Sequence, residues 1–275
     1  MKTIYEVHHG KASARAAPRP TKAGVARMLR RAYKAIVPRR ARYWRYQAQI
    51  FVFDHGRYRY LAEEGRPRRD FFRRAFTLLT ECGISGDYLE FGCASGTTFG
   101  YAYRYAHRAG HPARLWAVDS FEGLPSSDDP RDRHPLWQAG NFAAPVEQFL
   151  EHCAMRGIPA SRIEVVKGYY SDTLSPISPF HDRLPRDIAF AYVDCDLYTS
   201  TKSVLDFLAP RLKHGMILAF DDYFCLSSQA IAGERLAFLE MEGELSQFHF
   251  LPYIQYGTAA LSFIVEDHAL LPLTA

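Results

Sequence analysis

The sequence predicts an α/β fold in which an open, mostly parallel sheet is covered by helices on both faces. Three observations carry that expectation. Short, largely apolar runs recur along the chain, segments of helical period separate them, and two further strand-like runs close the C-terminal end. With 275 residues, 48% of them hydrophobic, the chain is long enough for one sizeable core.

The elements come in this order. No acid occurs from Val7 to Val52, where Lys and Arg recur. Inside that basic arm, residues 23–37 place Val25, Met28, Leu29, Ala32 and Ile36 near one face at helical spacing, with Arg30, Arg31 and Lys34 largely off it. Pro38 stops this basic amphipathic helix. Beyond it a helix is expected over 70–80, then a strand Tyr88-Leu-Glu-Phe91 after Gly83 and Gly86. Strands follow at 115–118, 163–166, 188–193 and 216–220, with helices at 98–108, 145–156 and 200–212 between them. A helix over 229–241 and strands at 248–253 and 260–265 complete the pattern as a hairpin at the sheet edge. Residues 1–66 are thus expected to form the basic arm with its amphipathic helix, and residues 67–275 the main domain.

Composition excludes several classes. Five cysteines, an odd number with no CxxC pair, indicate neither a disulfide framework nor a structural zinc site; reduced, mostly buried thiols and a cytoplasmic location are expected. No apolar run approaches the roughly 20 residues that cross a bilayer, and no apolar signal region follows Lys2. The basic helix suits peripheral contact with an anionic membrane surface, an acidic partner, or plain docking with a solvated basic face. Nucleic acid is not an expected partner, because the net charge of +4 comes without a recognisable binding module. A helix outside the core is also an element for homo-oligomer contacts.

In an open sheet of this kind ligands bind beyond the carboxyl ends of the strands, so the residues after each strand are the ones to read. The first strand is followed by Glu90-Phe-Gly-Cys-Ala-Ser-Gly-Thr97, a glycine turn opening a helix, where backbone N–H groups become accessible to a ligand. Many such turns carry glycine for steric reasons alone. The second strand ends in Asp119, placed to accept hydrogen bonds from ribose hydroxyls; turn and acid together point to a nucleoside-containing cofactor. Two later strands end in paired carboxylates, Asp194 with Asp196 and Asp221 with Asp222. Buried charge without a partner is costly, so these acids need compensation.

Five motifs stand in register: Glu90-x-Gly92-x-x-x-Gly96, Val118-Asp-Ser-Phe-Glu-Gly-Leu-Pro125, Val166-Lys-Gly-Tyr-Tyr-Ser-Asp-Thr-Leu174, Val193-Asp-Cys-Asp-Leu-Tyr-Thr-Ser-Thr201 and Asp221-Asp-Tyr223. Over residues 84–225 the chain resembles the macrocin O-methyltransferase family. Its members are class I S-adenosylmethionine-dependent enzymes that methylate sugar hydroxyls of antibiotics. The resemblance implies a Rossmann-like sheet of seven strands with the last antiparallel, S-adenosylmethionine as cofactor, and a Mg²⁺ site. It also implies a small-molecule or glycan acceptor and a place in antibiotic biosynthesis. Glu90, Gly92, Gly96, Thr97, Asp119, Ser120, Phe121, Gly168, Ser171, Asp172 and Asp194 are the expected cofactor residues. Asp194, Asp221 and Asp222 are the expected metal ligands, since Mg²⁺ takes oxygen donors, and Asp194 is the expected proton acceptor, with Asp196 supporting it.

Structural alternatives accompany these roles. An Asp-Asp pair at a strand end is commonly a turn or helix cap, Ser171 and Asp172 suit a capping turn equally, and Phe121 suits the core. Thr199 and Ser200 are expected to do no more than start a helix. The polar loop 126–141 is long enough for a lid, and puts His134 and Trp137 where an acceptor could be touched, His134 being the second catalytic candidate. Two other functions fit the same residues: methyl transfer to another acceptor such as a catechol, and a non-catalytic scaffold docked through the basic helix.

Overall fold

The computed structural model describes residues 4–6, 37–38, 41, 55–135, 137–225 and 230–270; in the helix that opens at His55, side chains are described from Glu64. The basic amphipathic segment at 23–36 lies outside the described residues. The chain divides into two compact units, Met1–Val7 with Glu64–Ala275, and His8–Glu63. The first contains the sheet.

In chain order the elements are β1 (Ile4–Glu6), α1 (His55–Glu81), β2 (Asp87–Phe91), α2 (Thr97–Ala109), β3 (Leu115–Asp119), α3 (Val146–Met155), β4 (Ile163–Lys167) and the one-turn α4 (Tyr170–Thr173). Then come β5 (Ile188–Val193), α5 (Tyr198–Leu208), β6 (Ile217–Phe220), α6 (Gly233–Glu244), β7 (Phe248–Gln255) and β8 (Leu261–Asp267). The strands form one sheet in the order β1-β4-β3-β2-β5-β6-β8-β7. Strand β8 runs antiparallel to both neighbours, β6 and β7, and the other pairings are parallel. The seven expected strands are all present, with the last one reversed. An eighth is added by the N-terminus, where Ile4–Glu6 pairs in parallel with β4.

Strand residues alternate between two cores. Tyr88, Phe190, Tyr192 and Ile217 pack on one face with Phe71, Phe72 and Phe76 of α1 and with Phe99 and Phe149 of α2 and α3. Leu89, Val193, Leu218 and Phe220 pack on the other with Val204, Leu205 and Phe238 of α5 and α6. Burial on both faces explains why these strands read as nearly continuous apolar runs. Helix α1 turns Phe71, Phe72, Ala75, Phe76 and Leu79 inward, the i, i+4 and i+8 spacing of one helical face.

Register positions the site. Phe91 pairs with Val118 and Val193, Val118 with Val166, and Val193 with Phe220. The next residues, Gly92, Asp119, Asp194 and Asp221, therefore stand in one row at the carboxyl edge. The row crosses the switch point, because β2 is flanked by β3 on one side and β5 on the other. Among the described residues no helix is long and apolar enough to cross a membrane. The five cysteines are free; Cys93, Cys153 and Cys195 are buried, whereas Cys82 is exposed.

Candidate active site at the carboxyl edge of the sheet

The glycine turn is shaped by backbone rather than side chains. Gly92 has φ +87°, and a Cβ there would lie 1.8 Å from the carbonyl oxygen of Asp194, so only glycine lets β2 and β5 finish side by side. Asp119 faces the same turn. Its Oδ2 accepts from the backbone N–H of Cys93 at 2.6 Å and of Ala94 at 3.1 Å, and its Oδ1 from Phe121 N–H at 2.6 Å. Burial raises the Asp119 pKa even though these three donors oppose it.

Glu90 is fully buried beneath the turn. Tyr88 donates to its Oε2, and Thr98 donates to its Oε1 at 2.7 Å, which ties β2 to the start of α2. Burial pushes the Glu90 carboxyl up to about 8. The other expected cofactor residues line the edge with their hydroxyls engaged by the protein. Thr97 accepts from Arg156 at 3.0 Å, and Ser120 donates to the Gly123 carbonyl at 2.9 Å. Phe121 is buried, adopts φ +56°, and packs its ring 5.5 Å from Phe149. Such a left-handed conformation is uncommon for a bulky residue. Gly168 follows β4, and its N–H donates to the Asp119 carbonyl at 3.0 Å. Ser171 and Asp172 lie exposed on α4, and Ser171 borders a cavity of about 510 Å³ between α4 and α5.

On the β5 and β6 side five acids gather. Asp194 follows β5, and burial raises its pKa, with the charges of Asp221, Asp222, Asp196 and Glu234 adding to the effect. Asp196 has φ +60°; burial raises its pKa, while hydrogen bonds from Asp222 and Trp137 oppose the rise. Asp222 is raised by burial and then by the neighbouring Asp196 and Asp221. Glu234, fully buried at the start of α6, bridges the two strand ends. It accepts from Cys195 N–H at 2.8 Å and Asp222 N–H at 3.0 Å, and burial followed by the Asp222 charge raises its pKa. Asp221 is held differently. Both its oxygens accept from Arg68, Nε and Nη2 each at 2.8 Å, and Tyr192 donates to Oδ1. Among the described residues no three His, Cys, Asp or Glu side chains converge as a ready metal cage.

The loop after β3 is docked over this side. Buried Asp132 accepts from the Thr199 N–H at 3.1 Å, from the Thr199 hydroxyl at 2.7 Å and from Ser127. Arg131 lies 3.9 Å above the Tyr198 ring. Thr199 therefore does more than start a helix: it anchors the loop. The His134 ring packs at a tilt 4.3 Å from Trp137, its Nε2 lies 3.7 Å from Cys225 Sγ, and burial lowers its pKa.

Sequence reasoning missed Arg68, Tyr192, Glu234 and Asp132. Arg68 is one of several arginines in 66–74, and nothing local marks it. Glu234 carries one signal, an acid in the first turn of a helix.

A Rossmann-like sheet with a reversed last strand and a glycine turn beside a strand-end acid defines the class I methyltransferase fold. A family model described as Macrocin-O-methyltransferase (TylF) matches residues 53–239, and the chain belongs to that family. A Streptomyces olivaceus protein named 8-demethyl-8-(2,3-dimethoxy-alpha-L-rhamnosyl)-tetracenomycin-C 4'-O-methyltransferase is 31% identical over 147 residues, covering 51% of this chain and 54% of the relative. The chain thus aligns with about half the length of that relative. Among solved structures, the O-methyltransferase NovP superposes with a TM-score of 0.58 at 21% identity, over 72% of this chain and 79% of NovP. The calicheamicin methyltransferase CalS11 superposes with a TM-score of 0.55 at 22% identity, over 92% of this chain and 99% of CalS11. At these identities the two structures speak for the fold.

Proposed function

We propose that this chain is an S-adenosylmethionine-dependent O-methyltransferase acting on a sugar hydroxyl of a glycosylated natural product or polysaccharide, with a divalent cation such as Mg²⁺ at its carboxylate cluster. The observation that supports this most is the single row at the carboxyl edge, where the glycine turn, Asp119 and the acids of two neighbouring strands meet at the switch point. The relative whose name specifies a rhamnosyl acceptor supports the choice of a sugar.

When bound, S-adenosylmethionine supplies a methyl group on a sulfonium sulfur. The chain then has to align an oxygen with that carbon, exclude water and accept one proton. The turn at the start of α2 offers backbone N–H groups to a carboxylate. Asp119, at the end of β3 beside that turn, is assigned the ribose hydroxyls. Glu90 and Thr98 hold the turn from beneath, with Gly92, Gly96, Thr97, Ser120 and Phe121 shaping its wall and Gly168, Ser171 and Asp172 assigned to the adenine side. Asp194 is assigned the proton. A bound cofactor would supply the methyl group and a neutral thioether as leaving group, and the hydroxyl proton displaced by methylation would pass to the Asp194 carboxylate. Positioning supplies much of the rate in such an in-line displacement. Asp196 flanks Asp194, and His134 in the docked loop is assigned to the acceptor.

The donor set fits a hard divalent cation. It is all oxygen, and burial raises the Asp194 and Asp222 pKa values with the neighbouring carboxylates adding to the effect, which a cation would relieve. Asp194 and Asp222 would hold the ion with Asp221, and the ion would supply Lewis acidity that lowers the pKa of a hydroxyl.

The test is incubation of the purified protein with S-adenosylmethionine and a panel of rhamnosides, other glycosides and catechols, in Mg²⁺ or EDTA, read by mass spectrometry. A glycoside that gains one methyl group in Mg²⁺ and not in EDTA is the expected result. Methylation of catechols alone would overturn the sugar assignment, and equal turnover in EDTA would remove the cation. Homo-oligomer assembly and membrane contact through residues 23–37 are tested by light scattering and by anionic-vesicle flotation of the full chain.

A further inference from the structure

Asp221 stands at the β6 end of the row, next to Asp194, with its N–H donating to the Val193 carbonyl at 2.9 Å. Both oxygens of its carboxylate are nevertheless engaged. Arg68 grips it through two parallel bonds, Nε to Oδ1 and Nη2 to Oδ2, each 2.8 Å long, and both side chains are largely buried, at 12% and 14% exposure. This fork-to-carboxylate geometry is the strongest form an ion pair takes between side chains. Tyr192 adds a third donor to Oδ1. Arg68 has a second partner: its Nη1 donates to Glu64 Oε2 at 2.9 Å. Glu64 is itself held from the β7–β8 turn by the Thr258 hydroxyl at 2.6 Å.

Oδ1, which accepts from both Arg68 and Tyr192, has no lone pair left for a metal ion, and Oδ2 keeps one only beside the guanidinium charge, which repels a cation. Asp194 and Asp222 carry no such clamp among the described contacts, and of the three acids proposed as ligands Asp221 is the one already neutralised.

We propose that Arg68 is a positioning residue that acts as the resident counter-cation of this site, competing with a divalent metal for Asp221. Metal loading then requires Arg68 to leave Asp221 and retain Glu64, the partner one helical turn before it in α1. The proposal rests on the divalent-cation reading above. Its consequence is that metal affinity is set by residues of α1 outside the metal's own ligand set, and that removing the clamp tightens binding instead of loosening it.

The experiment is titration of Mn²⁺ into the full chain, followed by electron paramagnetic resonance of the free ion. Variants are Arg68→Gln, Arg68→Lys, Glu64→Gln, Asp221→Asn and the double variant Arg68→Gln/Asp221→Asn, with S-adenosylhomocysteine affinity measured alongside as the check on folding. Competition predicts that Arg68→Gln binds Mn²⁺ about tenfold tighter than wild type, within the usual range for two ligands coupled through one site. Adding Asp221→Asn should abolish the gain. Arg68→Lys, which keeps the charge but loses the fork, should gain less, and serves in place of the glutamine variant if that one does not fold. Glu64→Gln should bind more weakly, because Arg68 loses its other partner.

Equal affinity in wild type, Arg68→Gln and Arg68→Lys would overturn the competition while leaving the metal site standing. A gain that survives in the double variant would also overturn it, because the effect would then be general charge and not release of Asp221. Absence of Mn²⁺ binding in every variant that still binds S-adenosylhomocysteine would overturn the competition and the cation reading together.

Discussion

Two halves of one sheet edge treat the same chemical group in opposite ways. On the β2 and β3 side, Glu90 and Asp119 are each satisfied by neutral donors: a tyrosine and a threonine for the first, three backbone N–H groups for the second. On the β5 and β6 side, Asp194, Asp196, Asp222 and Glu234 are raised by burial and by one another, while Asp221 holds an arginine. The first half is complete as it stands and frames a turn. The second sets five acids against the one guanidinium of Arg68 among the described contacts, and that excess of negative charge is what a cation-assisted proton transfer would use. Burial raises Glu90 and Asp119 as well, so the difference between the halves lies in the number of acids crowded together and not in burial alone.

The largest effect that would break this contrast is loss of Asp194. Asp194→Asn should reduce turnover by well over tenfold, or more than about 1.4 kcal/mol of transition-state stabilisation. S-adenosylhomocysteine affinity should stay within a few-fold, because Asp194 is the one expected cofactor residue on this half and asparagine keeps its size. Activity within tenfold of wild type would withdraw Asp194 from the reaction. The reciprocal change is Asp119→Ala, which should weaken S-adenosylhomocysteine binding by about a hundredfold, since it removes a ribose acceptor and leaves three backbone donors unpaired. Mn²⁺ binding should be largely spared. A variant that loses both ligands equally would mean that the halves are not separable.

Much of this was legible in the sequence, for physical reasons. Strands buried on both faces cannot disguise their apolar runs, so β2 to β8 fall close to their expected positions, and acids that directly follow strands are placed by register alone. What escaped depends on distant contacts. Strand β1 has three residues and exists through its pairing with β4. Helix α1 starts well before the expected residue 70, through Gly65 and Pro67, which read locally as breakers. Arg68 meets Asp221 across 153 positions of sequence, and Glu234 reaches Cys195 across 39. No pattern within α1 or α6 announces those partners.

A third prediction sharpens the contrast through pH. The folded pKa of Glu90, about 8, lies above the ordinary value of 4.5, so the native state keeps a proton that the unfolded chain releases. The associated stability is fully present below about pH 4.5 and is lost as pH rises toward 8. Glu90→Gln removes that slope. Its melting temperature should gain on wild type between pH 5 and pH 8, at no more than about 1.4 kcal/mol per pH unit. Parallel curves would mean that Glu90 is ionised in the folded protein.

The smallest effect concerns the docked loop. Asp132→Asn weakens the bonds to Thr199 and Ser127 and should cost about 1–3 kcal/mol. Proteolysis within residues 126–141 should become faster, and the acceptor KM should rise with little change in S-adenosylhomocysteine affinity. Unchanged proteolysis would mean that the loop is held by Arg131 and Tyr198 instead.

The most direct test of the two-half account is calorimetric titration of S-adenosylhomocysteine into the wild-type chain, once in EDTA and once in Mg²⁺, with Mg²⁺ also titrated alone. The account predicts micromolar cofactor binding in both buffers, together with a separate Mg²⁺ binding event. Absence of S-adenosylhomocysteine binding in both buffers would contradict it.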